Sequence, residues 1–471
     1  MRGHCMMTGA VAGDEHGGPR MDTRFEKLLD QLQRGRIDRR TFMVRAIALG
    51  ATGSAVFSAL SRVGLVEAQG EKASDIGNKS IPHVEGTDKG VIKIYSSWPR
   101  TGSMEGIGVD AYEAAKLAFS DFGNMAGGYA IEYVALDSGI AANNGGWDPG
   151  VESANANQAI ADADCMAYMG TYNSGAAKIS IPIMNEAGMA MISFANTYSG
   201  LTKDVPGIEE GEPDVYYPSG KRNYSRVIAS DDIQGALGAR WAVESKGVKS
   251  AYVLDDQSLY GHGVAQVFND TLQEVGAEVL GFEGYDPKAP DYQALMTKIA
   301  DAGPDLVYVG ATIENNPAKV CLDMRSLMPA DQVIFLGPDG LFTQAFIDGA
   351  GDASEGAFLT FAGLPTNELK GPGADYFKRM SEILGHAPDG YSTYSYDCTV
   401  AIIQAIDKAG EKDRGKILDA LMGTKDFTSL VGKTWSFTET GDIDNPSMSV
   451  NEIKPNDEGE LAITFLEAIG A

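Results

Sequence analysis

The chain has 471 residues, too many for one ordinary compact domain, and its 44% hydrophobic and 22% charged residues are typical of a globular protein. A formal net charge of -27 at pH 7 opposes the phosphates of nucleic acids and anionic membrane surfaces, so we expect neither as a partner. The sequence therefore predicts two or more domains with a well-solvated acidic surface.

The five histidines are scattered along the chain, and no Cys and His spacing resembles a zinc site, so we predict no metal and no cofactor. Cys165, Cys321 and Cys398 stand in apolar surroundings. This favours buried thiols over a disulfide framework, and whether Cys165 and Cys398 pair stays open.

A pair of arginines marks the predicted leader. Arg39 and Arg40 are followed by Thr-Phe-Met and by a weakly apolar run at 46–60, which is too short and too rich in Gly, Ser and Thr to predict a membrane span. The motif resembles a twin-arginine signal, which exports folded proteins across a bacterial inner membrane. The alternative is an ordinary helix with two adjacent arginines.

We assign residues 1–68 to this leader, with cleavage after Ala68 because Val66 and Ala68 supply the small residues that a signal peptidase requires. The true start is either Met1 or Met21. The leader predicts a periplasmic protein.

Strand and helix patterns alternate from Val91 onward. Short apolar runs indicate strands, and apolar residues at helical spacing indicate helices. The predicted strands are 91–97, 131–136, 166–169 and 189–194, and the predicted helices are 110–119, 151–163 and a segment including 179–184. This βαβ order predicts a doubly wound domain with a parallel sheet.

Two polar clusters follow neighbouring strands in this first domain. They are Asn173-Ser174-Gly175 and Ala195-Asn196-Thr197. Both are expected at the same edge of the parallel sheet, where open α/β folds bind their ligands.

A second domain follows a segment at 203–221, whose prolines, glycines and acidic residues predict an exposed insertion. The predicted strands there are 250–254, 278–282, 306–310, 333–336, 357–362, 433–437 and 461–466, and the predicted helices are 232–244, 263–275, 292–302, 318–327, 374–384, 394–409 and 416–422. Two like domains in tandem suggest a ligand held between them.

Several linked motifs resemble one known family. The segments at 170–202, 253–265 (VLDDQSLYGHGVA), 304–310 (PDLVYVG) and 335–340 (FLGPDG) are similar to the periplasmic solute-binding proteins of branched-chain amino acid ABC importers. The resemblance runs from about Val91 to the end. It implies two doubly wound lobes joined by a three-crossing hinge, lobe 1 at 91–228 and 364–431 and lobe 2 at 229–363 and 432–471, closing on a ligand.

An amino acid is a zwitterion, so its site must satisfy a carboxylate and an ammonium group. Ser174 is the first residue of a predicted helix. Its hydroxyl, together with the free N–H groups and the dipole of the helix, suits the carboxylate. The alternative is that Ser174 is a plain N-cap. The resemblance adds the Ala195 backbone and the Thr197 hydroxyl, with a turn-stabilising hydroxyl as the alternative for Thr197.

The resemblance places Asp339 at the family's acidic position, where it would bind the ammonium group; an ordinary turn aspartate is the alternative. Tyr260 matches a tyrosine that reaches the cleft from the second lobe, and a core or surface tyrosine is the alternative. Two departures leave the side-chain specificity open. Thr312 stands where leucine, isoleucine and valine binders place a second tyrosine, and Ile107, in the predicted loop 100–108, aligns with a pocket-shaping position beside charged residues.

The function that follows is capture of an amino acid, or a related small amide or carboxylate, by a protein that we expect to be a monomer and to deliver it to an inner-membrane ABC permease. The alternative is a sensing protein that reports to a membrane receptor through the same clamp. An enzyme is not expected, because no nucleophile elbow and no Gly-rich phosphate loop after the first strand is present in the sequence.

Overall fold

The computed structural model describes residues 71–470 and six isolated helical positions before them, 27, 28, 31, 41, 42 and 45. The predicted export signal, Arg39 and Arg40, lies outside the described residues. Among the helices that are described, none is both long and apolar enough to cross a bilayer. The structural statements below concern residues 71–470.

Strands and helices alternate through the first half of this region. The strands are β1 (Val91–Ser97), β2 (Met125–Ala126), β3 (Tyr129–Leu136), β4 (Cys165–Gly170), β5 (Ala190–Ser193) and β6 (Tyr224–Arg226), and the helices are α1 (Glu105–Asp121), α2 (Pro149–Ala161) and α3 (Ser174–Glu186). The six strands form sheet 1 in the order β2-β3-β1-β4-β5-β6, in which only the β2–β3 pair is antiparallel. The predicted parallel sheet is confirmed.

The same alternation continues in the second half. The helices are α4 (Asp231–Glu244), α5 (Leu259–Glu274), α6 (Gln293–Ala302), α7 (Pro317–Arg325), α8 (Gln344–Ala350), α9 (Pro372–Leu384), α10 (Gly390–Ala409) and α11 (Arg414–Met422). The strands are β7 (Ser250–Asp255), β8 (Glu278–Gly284), β9 (Leu306–Gly310), β10 (Ile334–Gly337), β11 (Phe358–Phe361), β12 (Phe427–Thr428), β13 (Thr434–Trp435), β14 (Ser449–Pro455) and β15 (Leu461–Ala468).

Seven of these strands form sheet 2, in the order β15-β14-β11-β10-β9-β7-β8. The five strands from β11 to β8 are parallel, whereas β14 and β15 join as an antiparallel edge. Strands β12 and β13 pair separately as a short antiparallel unit.

The chain passes between the two sheets three times. It leaves sheet 1 after β6, and after β11 it returns to helices that pack on the first half: α10 contacts α1, and α11 contacts β4 and β5. It then reaches sheet 2 again at β14. The predicted fold class, two doubly wound sheets joined by a three-crossing hinge, is confirmed.

One predicted loop is wrong. Residues 105–108 are the first turn of α1, so Ile107 points into the core, where it is 1% exposed. Gly106 and Gly108 conceal this turn in the sequence because glycine is unfavourable within helices. Gly108 is nevertheless required, since a Cβ atom there would lie 2.0 Å from the carbonyl oxygen of Pro99.

The predicted exposed insertion is wrong in part. Glu212, Tyr216 and Tyr217 within 203–221 are buried. Glu212 accepts hydrogen bonds from the Tyr216 hydroxyl and, at 2.7 Å, from the Tyr198 hydroxyl. Composition alone did not distinguish this hydrogen-bonded carboxylate from solvated acidic residues.

Several short elements escaped prediction because each has too few residues for a periodic pattern: β2, β6, β12 and α8. The seven-residue edge strand β14 was also not predicted. The cysteines, by contrast, are buried thiols as predicted. Cys165, Cys321 and Cys398 are all free, so Cys165 and Cys398 do not pair. Burial raises the pKa of Cys165 to about 12, which keeps its thiol protonated.

Candidate functional site

Two loops at the carboxyl ends of β4 and β5 lie side by side. The strands are parallel, with Met169 paired to Ile192, so both end at the same edge of sheet 1. The loops that follow carry the two predicted polar clusters, at 173–175 and 195–197. This edge is where an open α/β sheet binds its ligand.

Side-chain hydrogen bonds lock these loops together. Ser193 Oγ donates to the carbonyl oxygen of Thr171 at 2.8 Å and accepts from the Asn196 N–H at 2.8 Å. Asn196 Nδ2 donates to the carbonyl oxygen of Tyr172, also at 2.8 Å. The relative position of the two clusters is therefore set within sheet 1 itself.

Ser174 is the first residue of α3, and Asn173 is its N-cap position. Within the described residues no side chain caps this helix, and Ser174 Oγ instead accepts from the Tyr198 N–H at 3.3 Å. Ser174 is thus not a plain N-cap. The uncapped first turn and the helix dipole favour an anion at this point.

Ala195 and Thr197 are 5% and 1% exposed. Thr197 Oγ1 is buried and has no hydrogen-bond partner within residues 71–470. The hydroxyl therefore does not stabilise its own turn. A buried polar atom left in this way is stabilised by a ligand or water that pairs with it.

A buried arginine that the sequence did not reveal holds the second loop. Arg226, at the end of β6, is fully buried and donates through Nε to Asp442 at 2.7 Å and through Nη1 to the carbonyl oxygen of Tyr198 at 2.8 Å. Its Nη2 donates to Thr202 Oγ1. The loop that carries Ala195 and Thr197 is thus fixed at its far end by an ion pair between two of the segments that cross between the sheets.

The sheet 2 side contributes a carboxylate that accepts hydrogen bonds from two side chains. The Tyr260 hydroxyl donates to Asp339 Oδ1 and accepts from the Gly340 N–H at 3.0 Å, and Gln234 Nε2 donates to the same Oδ1 at 2.7 Å. The second oxygen, Asp339 Oδ2, is buried and unpaired within the described part of the chain. Asp339 is therefore oriented by its neighbours, with one acceptor still free.

Burial raises the pKa of Asp339, and hydrogen bonds from Tyr260 and Gln234 act in the opposite direction. Burial, followed by the charge of Asp339, raises the pKa of Asp231 well above its usual range. Two buried carboxyls therefore influence each other here, and a cation bound between them would favour their ionised forms.

The segment after β9 brings further acceptors to the cavity. The Thr312 N–H donates to Asp256 Oδ2 at 3.0 Å, and Asn315 Nδ2 donates to the same oxygen at 2.7 Å. Glu314 Oε1 accepts from Asn173 Nδ2 at 2.7 Å, which joins the sheet 2 side to the start of α3. Burial raises the pKa of Glu314 to about 7.

A small cavity of about 10 Å³ remains between the two sides. This volume holds about one water molecule, so an amino acid enters only when the sides separate. Its lining comes from both sheets and from the start of α10: Tyr172, Asn173, Ser174, Ala195, Tyr260, Thr312, Gly340 and Tyr391.

The predicted site residues meet at this cavity, with one exception. Four of them line the cavity: Ser174, Ala195, Tyr260 and Thr312. Asp339 is hydrogen-bonded to the lining residue Tyr260. Thr197 lies two residues after the lining residue Ala195 in the chain. Ile107 is not among the lining residues and belongs to the core.

Four lining residues, Tyr172, Asn173, Gly340 and Tyr391, were not predicted as ligand contacts. Asn173 belongs to a cluster that the sequence singled out, but its cross-cavity partner Glu314 did not stand out. Tyr172 and Tyr391 pack edge to face with ring centroids 5.1 Å apart, although more than 200 positions separate them in the chain. No local pattern indicates such a pair.

A larger, open cavity of about 740 Å³ lies elsewhere, between the insertion and the start of α5. Polar side chains in its lining are already paired, Lys178 with Glu209 at 2.5 Å and His262 with Asp255 at 3.0 Å. The smaller cavity is the better candidate site because unpaired buried polar atoms surround it.

The arrangement suits binding of a zwitterion. The sheet 1 side offers a helix N-terminus and the Ser174 hydroxyl, which favour a carboxylate. The sheet 2 side offers the free oxygen of Asp339, which favours an ammonium group.

Comparisons with known proteins identify the family of the chain. A family model described as periplasmic binding protein matches residues 91–458. The Leucine-, isoleucine-, valine-, threonine-, and alanine-binding protein of Pseudomonas aeruginosa is 28% identical over 366 residues, which are 77% of this chain and 89% of that protein.

Solved structures share the fold. A leucine binding protein from Thermotoga maritima superimposes with a TM-score of 0.69 at 23% identity, covering 80% of this chain and 98% of that one. A solute binding protein of an ABC transporter from Rhodopseudomonas palustris, in complex with p-hydroxybenzoic acid, gives 0.68 at 19% identity, covering 80% and 96%. With the family model spanning both sheets and the three crossings, the chain belongs to the periplasmic binding protein family.

Proposed function

We propose that this protein captures a zwitterionic amino acid between its two sheets and delivers it to an inner-membrane ABC permease. The observation that carries the proposal is Asp339, a buried carboxylate with one paired and one free oxygen, beside a cavity that also includes the start of α3. The names of the relatives, which are all binding proteins, support a function in binding rather than catalysis.

The two sides of the cavity act as the two halves of a clamp. Lobe 1 is proposed at 91–228 and 364–431, and lobe 2 at 229–363 and 432–471. The strands of sheet 1 fall within the first set and those of sheet 2 within the second, which supports these boundaries. The Ser174 hydroxyl, the Ala195 backbone and Thr197 hold the ligand carboxylate, and Asp339, with Tyr260, holds its ammonium group.

Ligand binding shifts the population from an open to a closed form. A ligand that contacts both lobes favours the closed form by its extra interactions there. The hydrogen bond between Asn173 and Glu314 exists only when the lobes meet. The permease would then recognise the closed form, in a periplasm reached through the twin-arginine signal at Arg39 and Arg40.

Thermal-shift screening of the full chain against amino acids, amides, ureas and small carboxylates tests the proposal, because a ligand that binds only the folded state raises Tm. We expect a zwitterionic amino acid to raise Tm and Asp339→Asn to abolish the shift. Asp348→Asn, an exposed aspartate on α8, is the matched control and retains it. Binding of small carboxylates alone, or an unchanged shift in Asp339→Asn, would exclude the proposed function.

A further inference from the structure

Three unpaired polar atoms belong to residues at or beside the cavity. They are the Tyr172 hydroxyl, Asn173 Oδ1 and Glu314 Oε2, each buried and without a hydrogen-bond partner among residues 71–470. Tyr172 and Asn173 line the cavity and are 5% and 6% exposed. Glu314 joins them through its other oxygen, which accepts from Asn173 Nδ2 at 2.7 Å.

The side chain of Glu314 is held in place from the opposite direction. A Cβ atom at Gly146 would lie 2.9 Å from Glu314 Cγ, so the loop after β3 packs directly against it. Burial, followed by the charge of Glu314, holds the pKa of the Tyr172 hydroxyl well above its usual range. The hydrogen bond from Asn173 brings Glu314 to the residue next to Tyr172 in the chain.

Leaving such atoms unpaired is unfavourable, at about 1–3 kcal/mol for each buried group. A water molecule makes about three hydrogen bonds. The cavity holds about one water, which is too few to pair with these three atoms and with Asp339 Oδ2 and Thr197 Oγ1 as well. The remaining atoms require a ligand with polar groups at both of its ends.

The pattern of donors and acceptors identifies the far end of that ligand. The amide oxygen of Asn173 and the carboxyl oxygen of Glu314 accept, whereas the Tyr172 hydroxyl can donate. A carboxamide has two N–H donors and one carbonyl acceptor, which complements all three. An aliphatic side chain leaves them unpaired, and a carboxylate side chain brings a second negative charge beside Glu314.

We propose that the cargo is an amino acid whose side chain ends in a carboxamide or ureido group, bound by Tyr172, Asn173 and Glu314. The inference rests on the proposed function for the zwitterionic end of the ligand. It differs from the cargo in the name of the Pseudomonas relative, whose amino acids carry aliphatic or hydroxyl side chains.

Isothermal titration calorimetry of the full chain tests this with matched ligands. L-asparagine, L-leucine and L-aspartate share a side chain that branches at Cγ, and L-glutamine and L-methionine share a longer chain that is straight as far as the δ position. We expect one amide to bind at least about tenfold more tightly than its apolar partner, since two lost hydrogen bonds exceed 1.4 kcal/mol. Aspartate should bind more weakly than asparagine.

The failure of each proposal gives a different result. If leucine or methionine binds as tightly as both amides, the amide site is wrong and the zwitterion site stands. If none of the five amino acids binds and titration with the other amino acids also shows no binding, the proposed function itself is wrong.

Variants at Glu314 separate ligand recognition from a structural role. Glu314→Met removes the acceptor and should weaken amide binding about tenfold more than leucine binding, whereas Glu314→Gln keeps one acceptor oxygen and should retain the preference. Glu283→Gln, which alters a carboxylate bonded to Tyr252 and Lys298 away from the cavity, is the control. Equal weakening of both ligands by Glu314→Met, with unchanged Tm, would overturn the proposal.

Discussion

The two walls of the cavity are built in opposite ways. The sheet 1 wall, residues 170–174 and 195–198, consists of a helix N-terminus, hydroxyls and amides, and its loops are locked to each other. The sheet 2 wall, residues 260, 312–314 and 339–340, carries carboxylates with free oxygens. One wall therefore suits a carboxylate and the other suits N–H donors, so a ligand with both kinds of group is needed to join them.

Carboxylates also occur behind the sheet 1 wall, but there they have a structural role. Glu152, on α2, accepts hydrogen bonds from Ser97 at 2.5 Å, Tyr168 at 2.8 Å and Ser180. These partners lie on β1, β4 and α3. The carboxyl groups of the two sides therefore have different roles. Glu152, with hydrogen bonds to both of its oxygens, stabilises sheet 1, whereas the carboxyl groups of the sheet 2 wall keep unpaired oxygens beside the cavity.

The largest expected effect comes from breaking the support of the sheet 1 wall at Arg226. Arg226→Met leaves Asp442 buried without its partner, which typically costs about 3–5 kcal/mol of unfolding free energy. Urea denaturation measures it. Arg240→Met, at an exposed arginine 3.8 Å from Glu274, is the control and should change stability by less than about 1 kcal/mol. Equal stability of the two variants would show that the Arg226 pair does not hold the wall.

The second effect is a pH dependence of stability through Glu152. Burial raises its pKa from 4.5 to about 7. The unfolded chain therefore binds fewer protons between these values, and the unfolding free energy falls as pH rises through this window. Glu152→Gln cannot ionise, so its stability relative to wild type should increase by roughly 3 kcal/mol between pH 4.5 and 7.

Urea denaturation at half-unit pH steps checks this, with Glu113→Gln on the exposed face of α1 as control. The control should follow the wild-type curve. If the unfolding free energy of Glu152→Gln changes with pH in parallel with wild type, Glu152 is ionised in the folded protein. That result would contradict the assignment of Glu152 as a structural acid that differs from the ligand-binding acids.

A smaller effect is expected from the sheet 2 wall at Tyr260. Tyr260→Phe removes the hydroxyl that orients Asp339, and we expect amino acid affinity to fall by about 1.5–2 kcal/mol in calorimetric titration, at the lower end of the range for a hydrogen bond to a charged group. Tyr252→Phe removes a hydroxyl bonded to Glu283 outside the cavity and should leave affinity unchanged. Unchanged affinity in Tyr260→Phe would remove this tyrosine from the site.

The sequence was sufficient for what depends on local pattern. Apolar runs predicted β1 and β9 at their observed bounds, and the polar residues after β4 and β5 predicted the edge where Ser174, Ala195 and Thr197 lie. Asp339 and Tyr260 followed from a resemblance in short motifs, and the structure brings them into contact.

What the sequence could not supply are contacts between distant segments. Arg226 and Asp442 are 216 positions apart, and Asn173 and Glu314 are 141 apart. Arg226, Asp442 and Glu314 look ordinary in their own segments, and the segment around Asn173 does not reveal its partner. The misplacement of Ile107 has a local cause, because two glycines concealed the first turn of α1.

The most direct test of the central claim removes the charge of Asp339 and the ammonium group of the ligand, first separately and then together. The affinity of the best-binding amino acid and of its des-amino carboxylic acid is measured by calorimetry in wild type and in Asp339→Asn. If Asp339 binds the ammonium group, wild type should prefer the amino acid by at least about 2 kcal/mol, and the preference should largely disappear in the variant. An equal loss of both ligands, with the preference preserved, would contradict the assignment of the two walls to the two ends of a zwitterion.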